Sequence, residues 1–237
     1  METKLLYLDD QYQKECESTA LWHEFTDLVI DQSIFYPTGE GQPNDRGKVK
    51  IDGKEYTIVD AWSDGDSVHL MSHDTFPDDI DGKKVQQIID WDVRYLHMRF
   101  RTALKMISGV AFQLFGSTTR INQTYDDQAW FDLEMDEITQ ENVDELFRVV
   151  NKMAQESKEV KFTNTPRDEF LKEEQMMKIC KGRVPDFDQI RVLKIDGIPD
   201  QMEFGTNVKN TREIGLVEYK TNLVKGKISR RINITLK

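Results

Sequence analysis

The stretch "DWDVRYLHMRFRTALKMISGVAFQLFG", residues 90–116, is where the chain changes period. Apolar residues recur at helical spacing through Leu96, Phe100, Ala103, Leu104 and Ile107. No Pro interrupts the run, Asp90 opens it and Gly116 closes it, which together predict one long helix. Arg101 and Lys105 stand one turn apart on this helix, two cations inside an apolar stripe. The simplest reason for such a pair is a solvated helix edge.

On the N-terminal side of the helix, residues 1–85 read as β. The stretch "ESTALWHEFTDLVID" mixes alternation with short apolar runs, and "GKVKIDGKEYTIVDAWSDGDSVHLMSH" alternates around Asp-Gly turns. Between them "FYPTGEGQPNDRG" is a Gly/Pro loop, so the pattern predicts a small barrel or sandwich with one special loop. On the C-terminal side, "TYDDQAWFDLEM" reads as strand, "TQENVDELFRVVNKMAQES" as helix and "EVKFTN" as strand. "TPRDEFLKEEQMMKIC" predicts a helix with Thr165 as N-cap, Pro166 at its first position and Asp168 three after the cap. "QIRVLKIDG", "EIGLVEYKTN" and "GKISRRINITL" then read as strands joined by Gly turns. The order predicts an α+β protein of two domains, 1–85 and 86–237, the second a mostly antiparallel sheet with helices on one face.

Composition narrows the function classes. A chain of 237 residues with 38% hydrophobic and 32% charged side chains is an ordinary globular composition. No apolar run approaches the ~20 residues of a membrane-spanning helix. The start "METKLLYLDDQYQKEC" lacks a basic segment followed by an apolar one, and Cys16 and Cys180 have no ligand spacing. A cytoplasmic protein without disulfides is expected. The net charge of -11 opposes polyphosphate at long range. Charge is segregated, however: residues 60–92 carry Asp and no Glu, whereas "KTNLVKGKISRRINITLK" holds Lys220, Lys225, Lys227, Arg230, Arg231 and Lys237 without an acid. That tail suits either an edge hairpin guarded by cations or a phosphate-contacting surface.

Histidines offer little. His69 and His73 have the spacing of a helical metal pair, but in a strand residues four apart lie about 13 Å from each other and do not converge. His23 and His97 are isolated. The Gly/Pro loop and the small-residue turn in "EFGTNVKNTREIG" are each weak signals of close approach to a ligand.

Taken together, "FYPTGEGQPNDRG", "DWDVRYLHMRFRTALKM" and "EFGTNVKNTREIG" resemble, in order and separation, the alanyl-tRNA editing proteins (AlaX type) and the editing region of alanyl-tRNA synthetase. The family patterns are "FYPTGGGQPxDxG", "DWxxRxxHMRxHTAxH" and "CGGTHVxNTGEIG". The resemblance covers nearly the whole chain. It implies a barrel-like N-terminal domain followed by the α+β editing domain shared with threonyl-tRNA synthetase. It also implies hydrolysis of serine or glycine wrongly esterified to alanine tRNA.

In that family two histidines of the helix, with a cysteine and a histidine of the turn, hold zinc. The matching positions here are Arg101, Lys105, Glu203 and Asn207. Guanidinium and ammonium have no lone pair to give, so no zinc and no other cofactor is expected. The resemblance instead implies a pocket in which Glu203 lies between Arg101 and Lys105, the three charges summing to the +1 of zinc with one thiolate. Two outcomes follow for chemistry. In one, Arg101 or Lys105 stabilises an oxyanion, Glu203 serves as general base, and Thr38, Gln42, Thr206 and Asn207 place the aminoacyl group. In the other, the pocket only binds a tRNA acceptor end or small molecule. The basic tail would then carry tRNA contacts through Lys220, Lys225, Lys227, Arg230 and Arg231.

Overall fold

The structure is a computed structural model that describes residues 1–224 and 226–237. Lys225 lies outside the described residues. Two compact units, 1–98 and 99–237, divide the chain. Among the described residues no helix is long and apolar enough to cross a membrane.

The first unit is built on six strands: β1 (Glu15–Glu24), β2 (Asp27–Ile30), β3 (Gly47–Ile51), β4 (Lys54–Ser63), β5 (Val68–Ser72) and β6 (Lys84–Ile89). They close into an antiparallel barrel in the order β1-β2-β5-β4-β3-β6. Alternation sends Leu28, Ile30, Val49, Ile58, Leu70 and Val85 into one core, as period-two patterning requires. Asp52 and Gly53, at φ 50° and 80°, join Ile51 to Lys54 with the two positive-φ residues of a type I′ hairpin. The barrel closes where β3 meets β6, and there a side chain on Gly47 would place its Cβ 2.2 Å from the Ile88 carbonyl oxygen.

Helix α1 (Trp91–Phe115) follows, opened by Asp90, whose carboxylate accepts the Val93 N–H at 3.4 Å. Gly116 ends it at φ 63°. The second unit continues with β7 (Thr119–Thr124), β8 (Ala129–Leu133), α2 (Gln140–Gln155), β9 (Val160–Pro166), α3 (Arg167–Phe170), α4 (Glu174–Cys180), β10 (Gln189–Ile195), β11 (Gln201–Met202), β12 (Val217–Val224) and β13 (Lys227–Leu236). One antiparallel sheet has the order β12-β13-β8-β7 and a second the order β9-β10-β11. A capping box between Thr139 and Asn142 starts α2. Its Phe147 stacks on Tyr219 at 4.3 Å and tilts against Phe131, so the helix covers one face of the four-stranded sheet. The expected α+β architecture with a barrel is the one observed.

Two local expectations are corrected. Residues 165–180 do not form one helix. Thr165 and Pro166 instead extend the β9 ladder opposite Ile190 and Gln189, and Pro166 precedes α3 with no side-chain cap. The helix then breaks at Leu171–Glu173 through tight bonds from Lys172 N–H to Glu169 and Glu173 N–H to Phe170. The break lets buried Phe170 join Ile190 and Val192 while α4 lays Met176, Met177 and Cys180 on the same cluster. Packing outweighs the local cap signal. Residues 124–135, read as one strand, hold a turn in which Tyr125 N–H donates to the Gln128 carbonyl at 2.8 Å between β7 and β8.

Candidate functional site

In the first unit the Gly/Pro loop is held from within and from below. Glu40 and Gly41, at φ 52° and 77°, form a tight turn in which Gly39 and Gln42 exchange backbone bonds of 3.1 and 2.8 Å. Thr38 Oγ1 accepts the Asn44 N–H at 3.2 Å, and the Gln42 side chain is buried. Beneath the loop lies an ion pair between Asp45 and Arg94, both side chains fully buried. Arg94 Nε donates to both Asp45 oxygens at 2.8 Å, and Nη1 donates to the Gln11 carbonyl at 3.0 Å. Asp45 also accepts the Tyr36 N–H at 2.7 Å. The pair ties the loop to the first turn of α1. Sequence reasoning assigned it no role, although Asp45 and Arg94 stand inside two of the quoted patterns.

In the second unit α1 and the 203–207 turn meet. Arg101 Nε donates to the two Glu203 carboxylate oxygens at 3.0 and 2.9 Å, and Nη2 donates at 2.9 Å. Lys105 Nζ lies 3.3 Å from Glu203 Oε2 and donates to the Met202 carbonyl at 2.7 Å. Gly205 N–H adds a bond to Glu203 from the turn itself. The two cations therefore do not sit on a solvated helix edge. Arg101 is 3% exposed and Glu203 1%. Burial alone would raise the Glu203 pKa, but the charges of Arg101 and Lys105, the Arg101 bonds and the Gly205 N–H reverse this and hold it at about 2.

Around this cluster the turn is fixed by bonds to α1 and β10. Thr102 Oγ1 donates to Asn207 Oδ1 at 3.2 Å and accepts the Val208 N–H at 3.1 Å. Asn207 Nδ2 donates to the Gly205 carbonyl at 3.4 Å, and Thr206 is buried. Arg191, which sequence reasoning missed, holds the Glu203 and Gly205 carbonyls at 3.1 and 3.3 Å and lies 3.6 Å over the Phe162 ring. Nothing local in "QIRVLKIDG" distinguishes that arginine from a solvated one.

The cluster does not suit zinc as a donor set: two of its members are cations, and both Glu203 oxygens are engaged by N–H groups. The same bonds oppose a role for Glu203 as base, because Arg101, Lys105 and the Gly205 N–H occupy its carboxylate and lower its pKa. Lys105 is the member with an exposed side, 18% of its side chain. Of the basic tail, Arg231 pairs with Asp132 at 2.9 Å and lies 3.5 Å over Trp130. Lys220, Lys227 and Arg230 are exposed along β12 and β13. His69 on β5 meets Asp27 at 2.9 Å and stacks on Trp62, while His73 is exposed.

No family model matches the chain. Individual relatives do. The alanyl-tRNA editing protein AlaX-M of Methanosarcina barkeri is 32% identical over 99% of each chain. The chain belongs to the alanyl-tRNA editing protein family. AlaX-M of Saccharolobus solfataricus is 30% identical, again over 99% of both chains. The alanine–tRNA ligase of Ignicoccus hospitalis is 30% identical over 90% of this chain and 24% of its own length. This member of the family thus matches free-standing editing proteins from end to end and one segment of a much longer synthetase.

Proposed function

We propose that this editing-family protein takes the aminoacylated 3′ end of alanine tRNA carrying serine or glycine, and that it does so without zinc. The observation that carries the reading is the buried Arg101–Glu203–Lys105 cluster at the positions where the resemblance puts metal ligands. The cluster joins α1 to the 203–207 turn, the mechanical role a bound metal would have. Its bonds leave no base in it, so binding the acceptor end is favoured over turning it over. In this reading Thr206 and Asn207 of the turn place the aminoacyl group.

A second reading rests on Lys105, whose side chain is partly exposed and whose ammonium would face the developing oxyanion of an ester. Deacylation of seryl-tRNA for alanine, run in parallel with filter retention of the same tRNA, separates the two. Binding without hydrolysis above the uncatalysed rate is the expected result. Hydrolysis that survives a chelator and is lost in Lys105→Gln would replace it with the second reading. Neither hydrolysis nor retention would remove tRNA from the account.

A further inference from the structure

Some cations at the C-terminal end of the second unit are matched locally. Arg231 pairs with Asp132, and Lys237 pairs with Glu218 at 2.6 Å. Lys227 and Arg230 share a cleft of about 270 Å³ with Asp136 and Glu137. Much of the basic tail is thereby accompanied by acids, which weakens its field for a polyanion.

One place differs. Arg120 projects from β7, Lys181 and Arg183 follow α4, and Glu134 follows β8. Lys181 pairs with Glu134 directly, and Arg120 Nε lies 4.0 Å from the same carboxylate, which also accepts the Thr118 hydroxyl at 3.3 Å. Two cations thus share one acid, and a third, Arg183, acts electrostatically on Lys181, in a chain whose net charge is -11. Burial and then repulsion by the charges of Arg120 and Arg183 lower the Lys181 pKa. Arg120 and Arg183 are exposed. An anion fixed among these groups would relieve that repulsion, and phosphate suits guanidinium geometry.

We propose that Arg120, Lys181 and Arg183 form the surface that contacts the phosphate backbone of the bound tRNA. This rests on the tRNA reading above. Each phosphate contact contributes about 0.9 to the slope of log affinity against log salt on a duplex. The test is fluorescence anisotropy of labelled alanine tRNA across a salt series with three proteins: the wild type, Arg120→Gln/Arg183→Gln, and Lys227→Gln/Arg230→Gln. The first variant is expected to lower the slope by about two and weaken binding several-fold at moderate salt, with an unchanged melting temperature. The second is expected to keep the wild-type slope. An unchanged slope in the first variant, or a drop confined to the second, overturns the assignment while leaving tRNA binding intact. Absence of wild-type binding would instead overturn the functional reading and this surface with it.

Discussion

Protonating Glu203 should unfasten α1 from the 203–207 turn, and the cost follows from its pKa. The carboxyl shifts from an ordinary 4.5 to about 2 on folding. At about 1.4 kcal/mol per unit the shift is worth about 3 kcal/mol, the stability of a substantial core contact. Because the folded pKa is the lower one, this stabilisation is complete above pH 4.5 and disappears as the pH falls through about 2. Other carboxylates titrate over the same range, so the informative quantity is a difference. Urea unfolding of the wild type and of Glu203→Gln would be compared between pH 7 and pH 2. At pH 7 the variant leaves Arg101 and Lys105 buried without their counter-ion and should be less stable by about 3–5 kcal/mol. The gap should narrow by about 3 kcal/mol as the acid limit is reached. A gap that stays constant with pH would mean that Glu203 titrates normally and would refute the buried ion pair.

Arg94→Met should cost about 3–5 kcal/mol, because Asp45 is left buried and charged beneath the Gly/Pro loop; chemical denaturation measures it. Loss of less than about 1 kcal/mol would place that pair in solvent. Gly47→Ala should destabilise by about 3 kcal/mol or more, since its Cβ would meet the Ile88 backbone where the barrel closes; the melting temperature reports it. Gly53→Ala provides the contrast, with only the positive-φ penalty of about 1 kcal/mol and open space around the new carbon.

How far the fold could be read in advance depended on how local its causes are. The long helix was legible because periodicity, Asp90 and Gly116 act within a few residues of each other. The barrel hairpins were legible through turns such as Asp52-Gly53, where backbone sterics choose the residue. The helix over 165–180 was misread because its cap signal at Thr165 competes with a strand partner, Ile190, supplied 25 residues later. The pairing of Arg101 and Lys105 with Glu203 could be expected only through the resemblance, since 102 residues separate Arg101 from its carboxylate. Arg191 and the Arg94–Asp45 pair have the same character. Their meaning lies in which backbone carbonyls and carboxylates tertiary packing brings to them.

Metal content tests the central claim most directly. Wild-type protein would be incubated with excess zinc, desalted and assayed by elemental mass spectrometry beside the variant Arg101→His/Lys105→His/Glu203→Cys/Asn207→His. The ion-pair account predicts substoichiometric zinc in the wild type and retention of about one ion per chain in the variant, whose four side chains supply a tetrahedral donor set. Stoichiometric zinc in the wild type would contradict it.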